Sequence, residues 1–243
     1  MIYSFSGTGN SKYVAAKLST LLGDNQKTIP TDDIDECDVL GLVFPVYAWG
    51  LPTVVEQFIK KLHDVKPKYT WAVITCGDDV GYTDRILSAA LQKVGISLSA
   101  VFSVQMPNTY VCLPGFDVDP DEIAAKKVAS TDSRIPSIVV DINEQKRVVD
   151  VVRGSMPYTK TYVLRPLFNA TLVTDRYFHT NDKCTQCGLC ACQCPLYNIT
   201  MEEGQVSWHG NCTGCLRCYH QCPRHAIEFS TFTKNKGQKK PLK

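Results

Sequence analysis

No apolar run in this chain reaches the roughly 20 residues needed to cross a bilayer. Its start, Met1-Ile2-Tyr3-Ser4, has neither the basic stretch nor the apolar run of a secretory signal. A protein without a membrane span, kept in the cytoplasm, is the expectation. The patterns G-x-x-x-x-G-K-[ST] and G-x-G-x-x-G are both absent, which removes a Walker-type phosphate loop and a nicotinamide-dinucleotide fingerprint. Histidine is scarce: His63, His179, His209, His220 and His225 have no spacing that demands a metal. No acid–base constellation stands out, which weighs against a substrate-specific enzyme. The net charge is only +2, so nothing argues for nucleic acid. That balance hides an asymmetry. Residues 1–160 carry 16 Lys and Arg against 19 Asp and Glu, and residues 161–243 carry 10 against 5. Lys234, Lys236, Lys239, Lys240 and Lys243 make the last stretch, 231–243, a basic tail, read as a solvated, disordered end.

The chain is rich in cysteine, with 12 residues. Eight fall in two blocks, Cys184-x-x-Cys187-x-x-Cys190-x-x-x-Cys194-Pro195 and Cys212-x-x-Cys215-x-x-Cys218-x-x-x-Cys222-Pro223. The second block repeats the first. Zinc modules commonly use two separated pairs of ligands, not triplets followed by Cys-Pro. A secreted disulfide framework conflicts with the missing signal. Cys192 is a ninth thiol in this region, read as a small packed residue. Residues 180–230 resemble the two-cluster bacterial ferredoxins. In that arrangement three close thiolates grip one cube and the fourth cysteine reaches the other. The resemblance therefore implies one [4Fe–4S] cluster on Cys184, Cys187, Cys190 and Cys222, and a second on Cys212, Cys215, Cys218 and Cys194.

The N-terminal half alternates strands and helices. Met1–Phe5 is a strand, and Ser6-Gly7-Thr8-Gly9-Asn10-Ser11 is a loop feeding a helix with Val14, Ala15, Leu18, Leu21 and Leu22 on one face. A glycine-rich turn at a helix start gathers backbone N–H groups and suits an anion. A second short strand falls around 27–29. Asp38–Phe44 is a buried strand ending in Pro45-Val46-Tyr47-Ala48-Trp49-Gly50, with Pro52 opening the next helix. Tyr69–Thr75 is a strand that runs into Cys76-Gly77-Asp78-Asp79-Val80-Gly81-Tyr82. Leu98–Gln105 is a fifth strand, followed by a turn with Asn108 and Tyr110. A helix starts at Asp119-Pro120, with Asp119 as cap, and helical material interrupted near Pro136 runs to about Arg153. Periodicity is lost over residues 154–179, read as an apolar linker packed between domains.

Ser6-Gly7-Thr8-Gly9-Asn10-Ser11 resembles the [ST]-x-T-G-x-[ST] phosphate loop of flavodoxin-like FMN proteins. The resemblance implies an α/β doubly wound parallel sheet of five strands, order 2-1-3-4-5, over residues 1–153. It places Ser6, Thr8, Gly9, Asn10 and Ser11 at the FMN phosphate. It places Pro45, Tyr47, Trp49, Gly50, Cys76, Gly77, Asp78, Gly81, Tyr82, Asn108 and Tyr110 near the ring. Ionised Asp78 and Asp79 would then lower the flavin potential. Joined to the small α+β ferredoxin domain, the whole chain resembles the flavodoxin–ferredoxin fusions of the EFR-type ferredoxin family. The implied function is electron transfer between clusters and flavin, serving redox partner proteins. A flavin-site reductase of a small substrate or quinone is the alternative, and a redox sensor with structural clusters is a third. The electron carrier is favoured over an enzyme.

Overall fold

The computed structural model of the chain describes residues 1–242. Its larger part is a parallel sheet built from strands that are apolar on both faces, as a sheet covered by helices on both sides requires. The strands are β1 (Ile2–Ser4), β2 (Gln26–Thr28), β3 (Val39–Pro45), β4 (Tyr69–Cys76), β5 (Ala100–Gln105) and β6 (Val148–Asp150). They lie in the order β2-β1-β3-β4-β5-β6, all pairings parallel. The pleat sends alternate side chains to opposite layers. Tyr3, Phe5, Leu42, Phe44 and Ile74 pack in one core with helices α2 (Thr53–Lys60) and α3 (Thr83–Gln92). Ile2, Val43, Trp71, Val73 and Phe102 pack in the other with α1 (Asn10–Leu22) and α4 (Asp121–Asn143). Each fully buried Phe or Ile contributes roughly 1.5–3 kcal/mol. The fold is flavodoxin-like, and its winding reverses between β1 and β3, where such sheets leave a crevice at the strands' carboxyl ends.

The sheet has six strands, one more than the sequence predicts. Helix α4 ends at Asn143, Gln145 takes φ 50°, and Val148–Asp150 pairs with Ala100–Phe102. Val148 and Val149 are β-branched and serve a strand more readily than a helix. Pro136 does not interrupt α4. Ile135, Ile138 and Ile142 are buried on the sheet, which offsets the roughly 3 kcal/mol cost of an internal proline. Nor does Asp119 cap this helix: its carboxylate accepts from the Asn108 amide at 2.8 Å and pairs with Lys127 at 2.8 Å.

The C-terminal module is small. Strands β7 (Phe178–Thr180) and β10 (Ile227–Phe229) pair antiparallel. The hairpin β8 (Ile199–Glu202) and β9 (Gln205–Trp208) joins the two cysteine blocks. Its core of Phe178, Leu216, Tyr219, Ile227 and Phe229 is completed by Val111 and Cys112 of the first domain. A module this small buries little surface of its own, and this contact adds to it.

Residues 154–179, which lack a clear period in the sequence, are largely helical: a π-helical stretch at Thr159–Leu164 continues into α5 (Arg165–Thr171). Their polar side chains anchor them. Thr161 Oγ1 accepts from the Tyr82 amide at 2.9 Å, Arg165 pairs with Glu56 at 2.8 Å, and Lys160 pairs with Asp79 at 2.6 Å. The basic tail is likewise ordered against the protein. Lys236 Nζ donates to the Val111 and Leu113 carbonyls, and Gly237 N donates to Asp117 Oδ1 at 2.9 Å. Lys239 N donates to His220 Nδ1 at 3.1 Å, and Leu242 packs on the α1/α4 core. The reading of a solvated end fails because Lys236 finds carbonyl partners and Lys239 pairs with Asp121 at 2.7 Å; Lys243 lies outside the described residues.

Candidate functional site

A cavity of about 380 Å³ opens at the carboxyl ends of β1, β3, β4 and β5, within the usual range for small-molecule sites. Gly9, in the left-handed region at φ 110°, turns the chain from β1 into α1. The amides of Gly7 and Thr8 find no acceptor among the described residues. Asn10 and Ser11 open the helix, where amides lack intrahelical acceptors. The side chains of the loop are partly committed. Asn10 Nδ2 donates to the Pro107 carbonyl at 2.8 Å, Ser11 Oγ meets Thr75 Oγ1 at 2.7 Å, and Ser6 Oγ accepts from Gly9 N at 3.1 Å. Thr8 Oγ1 meets Thr109 Oγ1 at 3.1 Å. Anion binding here therefore falls to the backbone more than to the hydroxyls.

The second loop is a tight turn in which Tyr47 and Gly50 exchange backbone hydrogen bonds at 3.0 Å. Its two central residues are Ala48 at φ 45° and Trp49 at φ 55°. Left-handed conformations cost roughly 1–2 kcal/mol per residue outside glycine. This strain accompanies the placement of Trp49 on the cavity wall, which Pro45, Tyr47 and Tyr110 also line. The Tyr47 and Tyr110 hydroxyls are buried without a partner. Burial pushes both phenols well above their ordinary pKa, so both stay protonated donors. Unpartnered amides at the helix start and unpartnered hydroxyls beside aromatic walls suit a ligand with an anionic end and a polar ring.

Cys76, Gly77, Asp78 and Asn108 also line the cavity. Cys76 is buried, with its Sγ 3.7 Å from the Val104 carbonyl, and burial pushes its thiol up to about 12, so it is a packing residue. Asp78 is exposed, while Asp79 is held by Lys160. Gly50, Gly81 and Tyr82 lie outside the cavity: Gly50 abuts Arg165, Gly81 abuts Thr161, and the Tyr82 ring lies under Arg85. Gly9 backs onto Pro241. Residues 160–173 supply wall that the sequence did not assign, including Lys160, Phe168 and Leu172. No periodicity marked them, because each faces the cavity from a short helix whose partner is another domain.

The cysteines form two groups. Cys184, Cys187, Cys190 and Cys222 line one small hollow with Pro223. Cys194, Cys212, Cys215 and Cys218 form the other, near enough for their charges to perturb one another. Backbone amides point at three of these sulfurs: Asn198 N to Cys194 at 3.4 Å, Gly214 N to Cys212 at 3.3 Å and Ala226 N to Cys222 at 3.2 Å. Such contacts stabilise thiolates bound to iron. Among the described residues no group of three or more His, Cys, Asp or Glu side chains is placed to hold a metal ion. Cys192, expected to be packed near a cube, is exposed.

The two groups differ in position. Only first-hollow residues of the C-terminal module line the first site. The second group abuts the cavity at the strand ends: Thr213, Gly214, Cys215 and Leu216 form part of its wall, and Thr213 Oγ1 meets Thr53 Oγ1 at 3.0 Å.

Among solved structures the chain is similar to the Trp repressor binding protein of Bacillus subtilis, at 14% identity and TM-score 0.38, over 55% of this chain and 95% of that one. It is also similar to a flavodoxin mutant of Fusobacterium nucleatum bound to flavin mononucleotide, at 16% and 0.35, over 56% and 94%. Rubredoxin oxygen:oxidoreductase of Desulfovibrio gigas follows at 13% and 0.36, over 58% of this chain and 36% of that one. These likenesses are low and partial, and the reading of the cavity rests on its own residues. No curated protein matches the chain. Residues 176–223 match the family described as the 4Fe-4S dicluster domain, so the cysteine-rich module is an iron–sulfur module.

Proposed function

We propose that the chain is an electron-transfer protein of the flavodoxin–ferredoxin fusion type, the EFR-type family, with one FMN in the cavity at the strand ends and two [4Fe–4S] clusters in the cysteine groups. The observation that carries this reading is the shared wall: Cys215, a ligand in the second group, borders the cavity that the Ser6–Ser11 loop opens. When bound, the clusters supply one-electron exchange and the flavin one- or two-electron exchange. The residues do the rest. The amides of Gly7, Thr8, Asn10 and Ser11 receive the phosphate, and Trp49, Tyr47 and Tyr110 confine the ring and exclude water. Asn198, Gly214 and Ala226 donate to ligand sulfurs. Cys212, Cys215, Cys218 and Cys194 hold the cluster nearer the cavity. Cys184, Cys187, Cys190 and Cys222 hold the outer one, where exposed Cys187 marks the approach for redox partner proteins. Twelve cysteines without a disulfide suit a reducing cytoplasm, and among the described residues no helix is long and apolar enough to cross a membrane.

Anaerobic purification followed by iron, sulfide and flavin analysis tests this reading. About eight irons, about eight sulfides and about one FMN per chain are expected. About four irons, or full clusters that take up no flavin on reconstitution, would contradict it.

A further inference from the structure

We infer that Arg217, in the second cysteine block, is a positioning residue for the flavin phosphate: it holds the Ser6 and Gly7 carbonyls from outside the cavity and so turns the Gly7 and Thr8 amides inward as anion donors. This rests on the FMN reading above. Arg217 Nε donates to the Gly7 carbonyl at 3.0 Å, and its Nη2 donates to the Ser6 carbonyl. Arg217 itself does not line the cavity, whereas Ser6, Gly7 and Thr8 do. In a planar trans peptide the carbonyl of one residue and the N–H of the next point in opposite directions; both peptides, Ser6–Gly7 and Gly7–Thr8, are trans. Fixing the two carbonyls outward therefore fixes the two following amides toward the cavity. Those amides have no other acceptor among the described residues.

The guanidinium is itself held. Its Nη1 donates to the Gln193 carbonyl at 3.1 Å, beside Cys194. Leu216, at φ 57°, turns the chain so that Arg217 leaves the cysteine loop toward the first domain. The approach is close: a Cβ on Gly7 would lie 2.6 Å from the Cys215 carbonyl and 2.6 Å from the Tyr47 hydroxyl. Gly7 is thus required by the seated cysteine loop, since its own φ is not in the left-handed region. One rigid fork makes all three contacts, a geometry that lysine does not reproduce. The cluster module thereby completes the phosphate site of the other domain.

The test uses the full chain with its clusters in place and its flavin removed, titrated with FMN and with riboflavin, which lacks the phosphate, by quenching of flavin fluorescence at equal iron content. Arg217→Met should weaken FMN on the order of tenfold and leave riboflavin within about twofold. Arg217→Lys keeps the charge but not the fork, and should resemble Arg217→Met. An Arg217→Met protein with the native FMN-to-riboflavin ratio overturns the inference, as does equal loss of both ligands, which would make Arg217 a general clamp between modules. Full recovery in Arg217→Lys also overturns it, assigning the effect to charge alone. A native chain that binds neither ligand defeats the FMN reading itself.

Discussion

Lys160 and Asp79 meet at 2.6 Å on the cavity wall, with Lys160 Nζ 5.6 Å from the centre of the Trp49 ring. Acidic residues in the 76–82 loop suggest from sequence alone a site that resists negative charge. Lys160 removes the force of that argument, because it compensates the sheltered Asp79, while the exposed Asp78 lies 3.6 Å from Lys127. Replacing Lys160 by Met removes the cation and leaves Asp79 unpaired beside the proposed flavin, which would gain negative charge on reduction. A loss of about 1.4 kcal/mol in the reduced state corresponds to about 30 mV for a two-electron couple. Redox titration of Lys160→Met should show the flavin potential falling by that order. An unchanged or raised potential would place the Lys160–Asp79 pair outside the reach of the ring. The Ala48–Trp49 turn belongs to the same scale: two residues accept left-handed strain, and Trp49 is thereby fixed on the wall.

The elements that join the modules are the ones composition disguises. The tail reads as a polar, charged end, yet Lys236, Gly237, Gln238 and Lys239 each hydrogen-bond to residues of the first domain or of the helix Arg217–Gln221. Net contributions near 1 kcal/mol per bond predict that deleting residues 236–242 costs about 2–4 kcal/mol. Thermal unfolding and limited proteolysis should both report it, the latter through faster cleavage near residues 172–177; unchanged unfolding would show the tail to be passive. The central strands were legible because each is a continuous apolar run bounded by turns. Strand β6 was not, since Val148–Asp150 has only three residues and takes its pairing from β5. The helices of residues 159–171 were hidden for a related reason. Lys160, Thr161 and Arg165 point inward to polar partners while Tyr162, Val163 and Leu167 are exposed, the reverse of an ordinary amphipathic pattern.

At the scale of the molecule, two local signals were strong and their relation was not. The cysteine spacing and the Ser6–Ser11 loop each announce a site through residues close in sequence. That the second cysteine group, and not the first, faces the cavity depends on contacts between residues about 200 apart, such as Arg217 with Gly7. Three things fix this order: the shared core of Val111 and Cys112 with Phe178 and Phe229, the Thr53–Thr213 contact, and the tail. In the proposed function electrons pass between the inner cluster and the flavin inside one chain. Pulsed one-electron reduction of the loaded protein, followed at flavin wavelengths across a series of protein concentrations, tests it most directly. Flavin reduction at a rate independent of protein concentration is the predicted result; a rate proportional to concentration would mean that electrons reach the flavin only from another molecule, and would contradict it.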